Sequence, residues 1–120
     1  MKNTVRLSPI ERAATSQLKE KGYAVVPMRH CFPTHYKPAH LMALRNSTEL
    51  LYLKLKQTPR PLTDILATEQ FCHADAQLLR RFYPLGSKTM ILHIEIWIRN
   101  NGCFTCLEVL ADGIREVSHV

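Results

Sequence analysis

Between Ser8 and Lys21 apolar positions recur at intervals of three and four, through Ile10, Ala13, Ala14 and Leu18, with Gln17 and Lys21 completing the stripe. That rhythm predicts a helix with one buried side. Ser8 can accept from the first free amides, Pro9 stands where a missing N–H costs nothing, and Glu11 completes a Ser-x-x-Glu capping box. Gly22 supplies the left-handed residue that ends the helix. Tyr23–Met28 predicts a strand, and Pro27 puts it at an edge or close to its end. Arg29–Pro38 holds two prolines and no period, so a loop is expected there. Ala39–Leu44 and Leu50–Lys56 predict two more strands, joined by a turn at Arg45-Asn46-Ser47. The second of these alternates cleanly, with Leu51, Leu53 and Leu55 on one face and Tyr52, Lys54 and Lys56 on the other.

Pro59 and Pro61 break the chain before a second helix, expected from about Thr63 to Tyr83. Its predicted buried stripe is Ile65, Leu66, Phe71, Ala74, Leu78, Leu79 and Phe82, and Pro84 and Gly86 stop it. Met90–Ile98 and Cys103–Val109 predict strands on either side of Asn100-Asn101-Gly102, a favourable hairpin turn. The last residues suggest a short helical turn. Passage from Lys56 through the second helix to Met90 implies a right-handed parallel crossover, whereas the short links among the early strands imply a meander. The expected fold class is α/β, a central mixed sheet flanked by helices in the order α-β-β-β-α-β-β. The 120 residues suit one domain, 1–120, and no repeat, low-complexity tract or linker divides them.

Composition adds little that is unusual: 46% hydrophobic and 22% charged residues fit a folded chain and argue against disorder. The longest apolar candidate, Met90–Ile98, contains His93 and Glu95 and falls far short of the ~18 residues that span a bilayer. Residues Met1 to Ile10 carry no signal-peptide apolar region, so a cytoplasmic location is expected, with the four cysteines reduced. Sixteen basic against ten acidic side chains give a net charge of +6, which favours polyanions and makes nucleic acid the expected partner class. The basic residues are spread along the chain instead of clustered.

Four short runs share a pattern: Glu11-Arg12 through Lys21-Gly22-Tyr23-Ala24-Val25-Val26, then Ala39-His40-Leu41-Met42-Ala43, Tyr52-Leu53-Lys54-Leu55-Lys56 and Phe104-Thr105-Cys106-Leu107-Glu108-Val109. Together they resemble the archaeal Holliday-junction-resolvase branch of the PD-(D/E)xK nucleases. The resemblance covers most of the chain and implies a restriction-endonuclease-like core, a DNA substrate and a homodimer. In that family an aspartate and the glutamate of Glu-x-Lys hold Mg²⁺, and the lysine helps activate water. By the resemblance His40 stands at the aspartate position and Lys54 at the glutamate position, with Lys56 retained and Glu11 matching the helix carboxylate. Magnesium wants carboxylate oxygens, and an ammonium repels it. The motif is therefore degenerate, and the expectation is a nucleic-acid-binding protein without two-metal cleavage and without a metal cofactor. Mg²⁺ enters only if the site is not degenerate.

The candidate catalytic residues are Lys56, His40 and Glu11, and the candidate nucleic-acid contacts are Lys54, Lys56, Arg45 and Lys37. Each has a plain reading beside the functional one. The capping box accounts for Glu11, and Lys54 and Lys56 form the solvated face of a two-sided strand as readily as a cationic floor for phosphate. Two further readings stay open: an endonuclease acting on DNA or RNA through His40 and Lys56, with Tyr36 added for metal-free RNA cleavage as in the tRNA-splicing endonucleases, and a structural or oligomerisation module. His30, Cys31, His35 and His40 recur in one loop and offer zinc-type donors, at a spacing that matches no known ligand set. Cys103-Phe104-Thr105-Cys106 is a lone C-x-x-C whose thiols, on a continuous strand, point to opposite faces and so are expected to be ordinary thiols. Trp97, alternating with His93 and Glu95, is expected to be partly covered packing or an interface residue.

Overall fold

The computed structural model describes residues 7–28, 39–62, 64–85 and 90–117. The first helix, α1, is Pro9–Glu20, and its start is the expected capping box: the Ser8 amide donates to Glu11 Oε1 at 2.8 Å, and the Glu11 amide to Ser8 Oγ at 3.2 Å. At its far end Gly22 takes φ +89°, and the Gly22 and Tyr23 amides return to the Lys19 and Leu18 carbonyls at 3.0 and 3.1 Å. This pair of bonds satisfies carbonyls that the helix leaves open.

Three strands follow, β1 (Ala24–Pro27), β2 (Leu41–Arg45) and β3 (Glu49–Gln57), paired antiparallel in sequence order. Asn46 and Ser47 turn the chain between β2 and β3, both with φ near +55°. The second helix, α2 (Ile65–Leu79), starts on Asp64, whose carboxylate accepts the Ala67 amide at 2.7 Å. It continues as a 3₁₀ turn over Arg80–Leu85. The chain then enters β4 (Ile91–Asn100), parallel to β3, and returns through β5 (Cys103–Leu110) and β6 (Gly113–Val117). The β4–β5 turn puts both Asn101 and Gly102 at positive φ, as the Asn-Gly pair predicts. The six strands lie in the order β1-β2-β3-β4-β5-β6, so Pro27 sits on an edge strand, where its missing N–H breaks no ladder. This is the expected mixed sheet with helices on its faces.

The alternation of β3 decides how the two layers divide. Leu51, Leu53 and Leu55 pack with Leu41, Ala43, Trp97 and the α1 residues Ala14 and Leu18. On the other face Tyr52 joins Ile94, Ile96, Ile98, Leu107 and Val109 beneath α2. Tyr52 stacks on Phe82 with ring centroids 4.2 Å apart.

Three expectations need correction. Gly113–Val117, near the end, is a strand, β6, not a helical turn, and residues 118–120 lie outside the described residues: Ile114 and Val117 pack against opposite layers, which only a pleated segment allows. The buried stripe of α2 is Thr68, Cys72, Ala76 and Leu79, while Ile65, Leu66 and Leu78 are exposed (58%, 63% and 38%) and so is Ala74. Leu79 faces the sheet as expected, but the other inward positions are the small Thr68, Cys72 and Ala76. Trp97 is fully buried, because its indole N–H finds an acceptor inside the layer, Glu95 Oε1 at 2.9 Å.

Candidate functional site

Beyond Tyr52, β3 keeps alternating, so Lys54 and Lys56 emerge on the face that α2 covers. Both converge on one carboxylate of that helix. Lys56 Nζ donates to Asp75 Oδ2 at 2.5 Å, and Lys54 Nζ stands 3.9 Å from Asp75 Oδ1. Lys56 also donates to the Phe71 carbonyl at 2.9 Å and lies 4.3 Å from the centre of the Phe71 ring. The three charged side chains are about one-fifth exposed, so screening of the cluster is incomplete. Two ammonium groups against one carboxylate leave one net positive charge.

Asp75 was not among the residues singled out from the sequence. Its signal is weak but present: it stands four residues after Phe71 and four before Leu79, on the inward side of α2. Cys72, one turn away and fully buried, has its thiol pushed up to about 11 by burial, with Lys56 drawing it down and Asp75 pushing it up. At neutral pH that sulfur is a packed thiol, not a nucleophile.

His40 lies just before β2. Its amide donates to the Leu53 carbonyl at 2.8 Å, its carbonyl accepts the Met28 amide at 2.9 Å, and its Nδ1 accepts the Leu55 amide at 2.9 Å. The imidazole thus extends the β2–β3 ladder past the end of β2, using a side-chain acceptor for a β3 amide. An Nδ1 that accepts a backbone N–H has its lone pair engaged and is not the nitrogen that takes a substrate proton.

The other candidates lie elsewhere. Glu11 is buried in its capping box on α1, on the opposite side of the sheet from Lys54 and Lys56. Arg45 closes the other end of β2. It grips Glu49 with two 3.0 Å hydrogen bonds, donates to the Lys21 carbonyl at 3.2 Å and covers the Tyr23 ring at 4.5 Å. Those bonds hold the Glu49 carboxyl below its ordinary value, the Arg45 hydrogen bond being the largest cause. Glu49 and Lys54 are five positions apart on β3, roughly 17 Å, so Arg45 and the lysine pair are not brought together. Lys37, Tyr36 and the His30-Cys31-His35 part of the loop lie outside the described residues.

The donor set around Lys54 and Lys56 does not suit the magnesium ion that the resemblance implies. Two ammonium groups flank the single carboxylate that meets them, the His40 Nδ1 is occupied, and Glu11 is on the far face. No three His, Cys, Asp or Glu side chains among the described residues are grouped to hold a metal ion. Cys103 is exposed and Cys106 buried. Cys106 packs in the α1 layer, with its thiol pushed up to about 12 by burial.

Across the α1 side of the sheet runs a row of polar side chains that the sequence did not announce. His93 stands 3.8 Å from Glu49 and 3.6 Å from Glu108, and these two carboxylates are held by Arg45 and Arg115.

No protein-family model and no curated protein sequence matches this chain. Among solved structures it is similar to Hjc, a Holliday junction resolvase from the archaeal hyperthermophile Archaeoglobus fulgidus. The TM-score is 0.57 at 13% sequence identity, over 92% of this chain and 86% of that one. The likeness is one of fold, and this chain has the central mixed sheet flanked by helices seen in that nuclease.

Proposed function

We propose that this chain is a nuclease-fold protein that binds nucleic acid, DNA foremost, without cutting it by two-metal chemistry. The observation that carries the reading is the lysine pair on β3. Where the resemblance places a metal-holding glutamate there is Lys54, and it shares Asp75 with Lys56 instead of facing a cation. The likeness to a resolvase over most of the chain supports a nucleic-acid ligand, and the net charge of +6 supplies sequence-independent attraction to phosphate. In this reading Lys54 and Lys56 contact phosphate, no metal cofactor takes part, and pairing of two copies is a further part of the proposal. No helix among the described residues is long and apolar enough to cross a membrane.

The test is a combined gel-shift and cleavage assay on branched, double-stranded and single-stranded substrates, with and without Mg²⁺ or Mn²⁺. Retarded bands without cut products, at low salt and in either metal, are the expected result. Metal-dependent products abolished by Lys56→Ala would establish an active nuclease instead. Metal-free products lost in His40→Ala would favour acid–base cleavage. No retardation of any substrate would leave the module reading.

A further inference from the structure

Strand β6 ends the sheet, and among the described residues its one neighbour is β5. Every second residue of Gly113–Val117 therefore turns a backbone N–H and C=O away from the sheet, and such an edge is a template for another strand. Helix α2 runs over this side of the sheet, and two cavities beside it reach β6, the first from over the ends of β4 and β5. One, of about 450 Å³, lies under the start of α2 and is lined by Ile65, Ile98, Leu107 and, from β6, Glu116. The other, of about 340 Å³, lies beside the later turns of α2 and is lined by Ala76 and, from β6, Ile114. Ile114 and Glu116 are two residues apart on one pleat face. Each cavity thus reaches β6 at one of two alternate side-chain positions, ~7 Å apart along an extended strand.

A groove between a strand edge and a helix, with consecutive side-chain cavities, fits an extended segment that adds to the sheet. Backbone hydrogen bonds would hold it, and every second side chain would enter a cavity. The charge of the groove selects the occupant. Asp64 and Glu116 line the first cavity, and Glu69 and Asp112 the second. Asp64 is already engaged in capping α2, but against the carboxylates stand, among the described lining residues, only His73 and Arg80, and the Arg80 guanidinium is already donating to the Leu110 and Gly113 carbonyls and to Gln77. An acidic groove on a chain of net charge +6 is the reverse of the overall field. We infer that the β6–α2 groove is a docking site for an extended segment of a partner protein in which aliphatic residues alternate with lysine or arginine, bound by strand addition to β6. This is independent of the nucleic-acid reading, which concerns the cationic pair on β3.

The probe is a fluorescein-labelled peptide of alternating valine and lysine or arginine, titrated into the full chain at low salt and followed by anisotropy. Amide exchange of residues 113–117 is measured in parallel. Saturable binding, slowed exchange across β6 and at least a tenfold loss with a peptide N-methylated at alternate residues are expected. Glu116→Lys, an exposed change that leaves the core untouched, is expected to weaken binding several-fold without altering the melting curve. Equal binding of the N-methylated peptide, or protection that maps to β3 instead of β6, overturns strand addition. Concentration-dependent protection of β6 without peptide identifies a second copy as the occupant and overturns the choice of a basic partner.

Discussion

Removing the charge of Asp75 probes the lysine pair most directly. In Asp75→Asn the side-chain shape is kept, but Lys56 loses a carboxylate at 2.5 Å and Lys54 one at 3.9 Å. Two like charges then share a largely covered site. At ~4 Å an ion pair is worth about 4 kcal/mol at an effective dielectric constant of ~20, but solvent reaches one-fifth of each side chain and the lysines can swing outward. A net loss of roughly 1–3 kcal/mol is therefore expected, seen as a fall in melting temperature of about 5–15 °C for a chain of this size. Binding should move the other way. The cluster goes from one net positive charge to two, which adds about one neutralised phosphate and steepens the log–log salt slope on duplex DNA by roughly 0.9. At 50 mM salt that corresponds to tighter binding on the order of tenfold, relative to the effect at 1 M. Lys54→Ala with Lys56→Ala should instead flatten the slope by up to about two units. Fluorescence anisotropy at several salt concentrations, run below the melting temperature of each variant, reads both. If Asp75→Asn melts lower yet leaves slope and affinity unchanged, the lysine pair is structural and the phosphate reading is wrong.

His40→Ala removes the acceptor of the Leu55 amide and should cost about 1–3 kcal/mol in urea unfolding, with faster exchange at Leu55. Unchanged exchange there would show that the imidazole is dispensable to the ladder. His40→Asp with Lys54→Glu places carboxylates at both motif positions, and calorimetry is expected to detect Mg²⁺ binding by this variant and none by the unmodified protein. In a Cys31→Ser background, a thiol reagent at neutral pH should label exposed Cys103 alone, leaving Cys72 and Cys106 for the unfolded chain. The same two thiols predict alkaline destabilisation. Their folded values, about 11 and about 12, lie above the ordinary value of 9.0, so the folded state holds protons that the unfolded state gives up. That stability is complete below pH 9 and is lost as the pH climbs through 11 to 12. Cys72→Ala with Cys106→Ala should flatten the alkaline limb of a pH-melting series.

What the sequence disclosed was whatever local chemistry decides. The capping box at Ser8 and Glu11, the Gly22 stop, the two-residue period of β3 and the Asn-Gly turn are each fixed by residues within a few positions of one another. The parallel crossover followed because β3 and β4 are separated by a helix, which leaves a parallel return as the ordinary solution. The face of α2 was not legible in the same way. Counting aliphatics put Ile65, Leu66 and Leu78 inside, but the sheet beneath already carries Tyr52 and three isoleucines and accepts Cys72 and Ala76. Tertiary fit overrode the periodicity. Strand β6 is short and carries Arg115 and Glu116 in its middle, so its two-faced pattern comes from the β5 ladder more than from its own composition. Of the candidate site, the shared face of Lys54 and Lys56 was legible from alternation. Their meeting with Asp75, 19 residues after Lys56, was not, because it depends on how α2 is rotated.

The rotation of α2 bears on why the lysines are there at all. Lys54 and Lys56 stand in register with Ile96 and Ile98 of β4, both buried in the α2 layer. Leucines at 54 and 56 would extend that apolar face, and a hydrophobic replacement for a partly buried ion pair is commonly neutral or stabilising by about 1–4 kcal/mol. Stability alone therefore does not call for an ammonium pair at this point of the sheet. Nor does a need for solubility, since a net charge of +6 leaves the surface amply charged. What the pair does provide is a fixed positive site at the end of β3, held in one geometry by a single carboxylate and by the Phe71 carbonyl. Such a site costs little reorganisation when a phosphate arrives, because the lysines are already immobilised, and one of the two charges is uncompensated by Asp75. A degenerate nuclease motif that had become mere surface would leave these side chains solvated and unpaired. The convergence on Asp75 instead fixes both side chains, as the proposed phosphate contact requires, and the sign of the Asp75→Asn affinity change decides between binding and packing.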